Sequence, residues 1–163
     1  MLSPNEPVFD ALCGQKEPCE DFGPVLASRD IEKRLMAVVD QARSRFSDVF
    51  GCAFSLSEEG IEQLELVIQE MWSSGWDPAN GDIDLFSRDF GSMLAASTQQ
   101  LLGGKFVFRS STDLTHSSIW FEERCLETFP FHRVFKRLTH EHGESLTYYF
   151  KSVMKTINSA TPP

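Results

Sequence analysis

The chain has 163 residues, of which 41% are hydrophobic, and this length and composition suit one domain with a buried core. Its formal net charge of −9 disfavours binding to nucleic acid or to an anionic membrane surface. We expect a cytoplasmic protein, because no apolar run approaches the ~20 residues of a membrane span and the first residues do not resemble a secretory signal.

Residues 1–27 are predicted to form an extended N-terminal arm. Residues that oppose a long helix recur along it: Pro4, Pro7, Gly14, Pro18, Gly23 and Pro24. A single α+β domain is expected over residues 28–158, and residues 159–163 are expected to fray as a tail.

Three amphipathic helices are predicted in the first part of the domain, because apolar residues recur there at three- and four-residue steps. They are expected over residues 30–47, residues 57–73, and from residue 82 or 84 to residue 102. Asp30 and Ser57 are the expected N-caps of the first two helices. Gly103 is expected to end the third helix with a positive φ.

A small antiparallel sheet of two to three strands is predicted to follow. The expected strands are residues 105–109, 118–123 and 125–129. Alternation puts Phe106 and Phe108 on one face. We expect the third helix and this sheet to share one core containing Phe90, Leu94, Phe106, Phe108, Ile119 and Phe121.

Pro130 is expected to end the sheet, and two C-terminal helices are predicted after it. The first is short and stopped by Gly143, and the second begins near Leu146 and continues to Ile157. The predicted fold class is therefore α+β, with N-terminal helices, a small antiparallel sheet and two closing helices.

No catalytic, cofactor or metal motif occurs in the sequence, so we predict neither an enzyme nor a bound cofactor or metal. His140 and His142 are two residues apart and would point to different sides of a helix, which does not make a chelate. The four cysteines are expected to be free thiols, with a bridge between the first two left as the alternative: Cys13, Cys19, Cys52 and Cys125.

Arg133, Lys136 and Arg137 form a basic cluster that is predicted to lie on the outer side of the first C-terminal helix. We interpret it as a solvated face, or as a set of partners for the acidic half of the chain. A contact with a phosphate or with an acidic partner is the alternative.

The excess of negative charge lies in the first half of the chain. Residues 1–80 contain 15 Asp and Glu against 6 Lys and Arg, whereas residues 81–163 contain 9 of each. No Lys or Arg occurs from Ser47 to Ser87, although solvated helices usually mix both signs. The asymmetry predicts a basic protein partner.

The predicted contact site is the acidic outer face of the second helix with the loop after it: Glu58, Glu59, Glu62, Glu65, Glu70, Trp76 and Asp77. An aromatic ring bordered by acids is typical of a binding hot spot. The alternatives are an ordinary solvated helix face and a Trp76 ring that packs onto the core.

Four short stretches stand out: Asp89-Phe90-Gly91, Leu102-Gly103-Gly104-Lys105-Phe106-Val107, Phe129-Pro130-Phe131-His132-Arg133-Val134-Phe135-Lys136-Arg137-Leu138, and Glu144-Ser145-Leu146. With them, about residues 60–150 resemble small bacterial α+β proteins of unassigned function. Some acidic proteins of this kind are encoded beside toxins and neutralise them, so the resemblance implies an immunity function.

The predicted function is therefore binding, as a bacterial immunity protein that neutralises a toxin by direct contact. We expect a monomer or homodimer with a basic protein partner, and neither a nucleic acid nor a membrane partner. A secretion chaperone for an effector, or an enzyme with a site assembled from scattered residues, are the alternatives.

Overall fold

A computed structural model of the protein describes residues 29–108 and 114–159. The elements follow in the order α1 (Arg29–Phe50), α2 (Glu58–Ser73), α3 (Ile83–Leu102), β1 (Lys105–Val107), β2 (Ser118–Phe121), β3 (Leu126–Thr128), α4 (Pro130–Thr139) and α5 (Leu146–Asn158). The predicted α+β class with two C-terminal helices is confirmed. The predicted arm over residues 1–27 and most of the predicted tail lie outside the described residues.

The first two helices bury the apolar stripes that predicted them. In α1 the most buried positions are Leu35, Val39, Ala42 and Phe46, each at most 2% exposed. This helix begins at Arg29, so Asp30 lies inside it rather than at its cap, and it continues three residues beyond the predicted end to Phe50. Ser57 caps α2 as predicted, since its hydroxyl accepts a hydrogen bond of 3.1 Å from the Gly60 N–H.

Helix α3 is the centre of the fold, and the other four helices all pack against it. Asp82, one of the two residues predicted to start it, caps it by accepting a hydrogen bond from the Leu85 N–H at 3.3 Å. Gly103 ends it with a φ of 80°, as predicted. Every residue from Asp89 to Thr98 is buried. Near the end of the helix, Leu101 is 42% exposed, whereas Leu102 still packs against the core.

Two close contacts attach α3 to its neighbours. On one side, the Arg45 guanidinium of α1 donates two hydrogen bonds of 2.7 Å to the buried carboxylate of Asp89, and these bonds raise the pKa of Arg45. On the other side, Gly91 lies directly against Phe131 of α4. A β-carbon at Gly91 would be 2.4 Å from the Phe131 ring and 3.0 Å from its Cα, so only glycine allows this approach.

The three strands are antiparallel in the order β1-β2-β3, with Phe106 opposite Ile119 and Ile119 opposite Thr128. All three are shorter than predicted, and β2 ends in a 3-10 turn over Glu122–Arg124 before Cys125, whose φ is 47°. The sheet is buried on both faces, since Val107 and Trp120 on the second face are only 2% and 3% exposed.

The prediction of one core shared by α3 and the sheet is only partly right. Phe90, Leu94, Ile119 and Phe121 belong to the main hydrophobic cluster. Phe108 is fully buried but belongs to a second cluster with Leu35, Ala95 and Phe131, and the partly exposed Phe106 packs against both clusters. The division arises because Phe108, directly after β1, packs between α1, α3 and α4, on the side of α3 away from α2.

The C-terminal helices close the fold. Pro130 starts α4 at its first turn, where its missing N–H costs nothing. This helix ends at Thr139, four residues before the predicted stop at Gly143. Ser145 caps α5 by accepting a hydrogen bond of 3.0 Å from the Tyr148 N–H, and α5 packs against α2.

Candidate functional site

Carboxylates of α2, the following loop and the start of α3 form the acidic surface: Glu58, Glu59, Glu62, Glu70, Asp77, Asp82 and Asp84. All of them are exposed except Glu58, which is partly buried. One cation among the described residues lies within ion-pair distance of this surface, Lys151 of α5, whose Nζ is 3.9 Å from Glu62 Oε1. Both side chains are about half exposed, so this pair neutralises little of the surface.

Leu66 lies in the middle of the exposed side of α2 and is 63% exposed. At about 100° per residue it lies between Glu62 and Glu70 on the helix surface. The predicted contact site did not include Leu66. Its exposure could have been predicted, because it lies far around the helix from the buried stripe of Ile61, Leu64 and Ile68. The acidic surface therefore has an apolar centre, as contact surfaces between proteins usually do.

Glu65 was predicted on the outer face of α2, and that placement is wrong. It is 5% exposed, because it lies about 40° from Ile61 around the helix, toward the core. Its Oε1 accepts hydrogen bonds of 3.0 and 2.9 Å from Arg137, and its Oε2 accepts one of 2.8 Å from the Leu146 N–H. Glu65 is thus a structural residue that joins α2, α4 and α5.

Trp76 and Asp77 lie in the loop between α2 and α3. The Trp76 Nε1–H donates a hydrogen bond of 2.9 Å to the Leu138 carbonyl, and its ring packs edge-on against Phe86 at 5.4 Å. Asp77 is exposed, and it accepts hydrogen bonds from the Ala79 N–H and the Asn80 side chain. Trp76 therefore anchors the loop to the core, and Asp77 shapes the turn while presenting its charge to solvent.

The other two tryptophans are also held by the fold. Trp72 is partly buried and donates a hydrogen bond of 3.3 Å to the Arg137 carbonyl. Trp120 is 3% exposed and packs with Val107 on the second face of the sheet. An exposed aromatic side chain is instead Tyr148 of α5, at 61%.

The basic cluster does not form a solvated outer face, contrary to the first interpretation. Arg137 is 5% exposed and pairs with Glu65, which agrees with the interpretation that the cluster pairs with the acidic half. Arg133 donates a short hydrogen bond to Glu144, and Lys136 is partly buried beside it. The physical reason is that α4 carries these side chains toward α2 and α5.

A cleft of about 400 Å³ lies between β3, α4 and α5. It is lined by His132, Arg133 and Lys136 of α4, by Thr128 of β3 and by Tyr149 of α5. Burial, and then the charges of Lys136 and Arg133, lower the pKa of His132. The sequence did not predict this cleft, because its residues come from three separate elements.

Residues considered for catalysis or metal binding remain apart. His140 and His142 are exposed after the end of α4. Within residues 29–108 and 114–159, no three His, Cys, Asp or Glu side chains are arranged to hold a metal ion. Cys52 and Cys125 are free, and Cys13 and Cys19 lie outside the described residues. No helix in the described ranges has the length and apolar character needed to span a bilayer.

Comparisons with known proteins found no match to the chain. The chain matches no protein-family model, no curated protein and no solved structure.

Proposed function

We propose that this protein binds a basic protein partner through the acidic surface, and that it acts as a bacterial immunity protein that blocks a toxin by direct contact. The observation that carries the proposal is the combination of seven carboxylates with the exposed Leu66 among them, a surface at which the described part of the chain places one cation, Lys151, within ion-pair distance. Glu58, Glu59, Glu62, Glu70 and Asp77 remain in the proposed contact site.

The chemistry of the surface favours a protein over a smaller ligand. Carboxylates spread over α2 and the next loop attract Lys and Arg from a distance and speed encounter. Leu66 offers apolar area that only a partner covering the helix would bury. Glu65 and Trp76 support this surface from beneath, because one fixes α2 against α4 and the other fixes the loop against α4.

The test is binding kinetics against the product of the neighbouring gene, combined with rescue of growth when the two are expressed together. Reversing Glu59, Glu62 and Glu70 to Lys should slow association about tenfold at low salt and flatten its salt dependence. Leu66→Ser should instead raise the dissociation rate. The matched control reverses Glu32, Asp40 and Glu123, which are exposed on other parts of the molecule.

Both triple variants change the net charge equally, so the comparison separates local contact from overall charge. A selective loss in the first triple, with loss of growth rescue, supports the proposal. Equal slowing by both triples, or unchanged association in the first, contradicts the proposed contact surface.

A further inference from the structure

The cleft between β3, α4 and α5 has two buried hydroxyl groups in its lining. Tyr149 is 7% exposed and Thr128 is 2% exposed. The Thr128 hydroxyl lies near enough to Tyr149 to lower the pKa of that phenol somewhat, but neither oxygen makes a well-aligned hydrogen bond with any described residue. Buried hydroxyls are usually satisfied, so two of them side by side in a cleft wall call for an explanation.

The α4 wall of the cleft supplies positive charge. The Arg133 guanidinium carbon lies 5.2 Å from the centre of the Tyr149 ring, so this cation is held directly over one of the buried hydroxyl-bearing residues. Lys136 is three residues further along the same helix, and its ammonium forms no ion pair within the described part of the chain. The cations of Arg133 and Lys136 and the side chains of Thr128 and Tyr149 therefore line the same cleft.

Acidic groups also line the cleft, and they restrict where a ligand can sit. On the strand side, the Glu127 carboxylate accepts a short hydrogen bond from the Ser118 hydroxyl of β2. Nearer to solvent, the Glu144 carboxylate is 57% exposed and accepts a hydrogen bond from Arg133. Glu144 thus shows that the Arg133 guanidinium can bind a carboxylate in this position. Because the Glu144 side chain is exposed, it can move away when a ligand takes its place.

We propose that this cleft binds a small molecule through an oxyanion, either a carboxylate or a phosphate, held by Arg133 and Lys136 with the hydroxyls of Tyr149 and Thr128 as further donors. The ligand displaces Glu144 from Arg133. The exposed ring of Tyr148 lies at the edge of the cleft and offers a flat apolar surface to the rest of the ligand. This site does not depend on the proposed contact through the acidic surface.

The probes are phenyl phosphate, benzoate and inorganic phosphate, titrated by calorimetry and by backbone amide shifts. We expect at least one probe to bind with shifts centred on residues 127–136 and 145–156. Phenyl phosphate and benzoate distinguish the two oxyanions, and inorganic phosphate tests the contribution of the ring. Lys136→Met or Arg133→Met should weaken binding about tenfold, as expected for a hydrogen bond to a charged group.

Two further variants test the proposed geometry. Glu144→Gln should tighten binding a few-fold, because it removes the competing carboxylate. Tyr149→Phe should weaken binding without lowering the midpoint of thermal unfolding, because the hydroxyl makes no well-aligned bond in the free protein. If Tyr149→Phe impairs folding, Thr128→Val provides the same test at the neighbouring hydroxyl.

The control is Lys155→Met on α5, which removes an exposed cation outside the cleft lining. The dissociation constant of each probe should stay within about twofold of its value for the parent protein. Equal weakening by Lys155→Met and Lys136→Met, or the absence of localised amide shifts with all three probes, overturns the proposal.

Discussion

At the scale of single residues, the Glu65–Arg137 pair is an ion pair with both members buried, and it joins α2 to α4. Both side chains are about 5% exposed, and Arg137 also donates to the Glu141 carbonyl at 2.9 Å. Removing water from two charges is costly, so such a pair is stable only when each remaining donor and acceptor is satisfied. Here the Leu146 N–H completes the set for Glu65.

Arg137→Met should lower the free energy of unfolding by about 3–5 kcal/mol, because it leaves a buried carboxylate without its counter-ion. Adding Glu65→Leu to Arg137→Met should recover a large part of that loss. Lys151→Met, which removes the exposed pair with Glu62, should change stability by less than about 1 kcal/mol. Urea unfolding of the four proteins checks this, and a small effect of Arg137→Met alone would contradict it.

Tyr149 gives a second prediction at this scale. Burial raises the pKa of its phenol to about 12, above its ordinary value of 10.0. As the pH rises, the phenol of the unfolded chain therefore loses its proton before that of the folded protein. The stability that Tyr149 contributes is fully present below pH 10 and is lost as the pH rises toward 12. The expected loss is about 2–3 kcal/mol across that range.

Urea unfolding at several alkaline pH values, with phenolate absorbance recorded in parallel, measures this effect. Tyr149→Phe should remove this part of the alkaline destabilisation, whereas Tyr148→Phe at the exposed neighbouring position should retain it. Identical pH profiles for the parent and Tyr149→Phe would contradict the assignment.

At the scale of elements, the contact between α3 and α4 depends on the absence of a side chain at Gly91. Alanine is favoured over glycine in a helix by about 1 kcal/mol, but a β-carbon here would overlap Phe131. We expect overpacking to dominate, so that Gly91→Ala destabilises the protein by about 1–3 kcal/mol and Gly91→Ser by more. Thermal and urea unfolding measure this, and a stabilising Gly91→Ala would show that the two helices separate easily.

Most of the helices could be predicted because each has a clear apolar stripe and a capping residue, as Ser57 and Asp82 show. Helix α3 was harder to interpret, since a helix surrounded by others also buries small polar residues such as Ser92 and Ser97. In α2 the apolar stripe of Ile61, Leu64 and Ile68 has a phase that places Glu65 toward the core and Leu66 on the exposed side. The spacing of the glutamates alone predicts the opposite position for Glu65. The cleft could not be predicted, because it requires the packing of β3, α4 and α5.

At the scale of the whole molecule, helix α5 separates the two proposed sites. Lys151 lies on its side toward α2 and the acidic surface, and Tyr148 and Ser152 line the cleft on its side toward α4. A partner bound to the acidic surface would therefore lie close to the helix that forms one wall of the cleft. Within the described residues, the charges form an acidic side next to a cleft with basic side chains.

The position of Glu65 also bears on how the protein is made. Its partners Arg137 and Leu146 are 72 and 81 residues later in the chain. While the ribosome is still producing α4, the Glu65 carboxylate of α2 has neither partner, and burying it would cost much free energy. Helix α2 therefore cannot yet pack in its native position. We therefore expect native folding to wait until the start of α5 has emerged from the exit tunnel, and the nascent chain to remain open to chaperones and proteases until then.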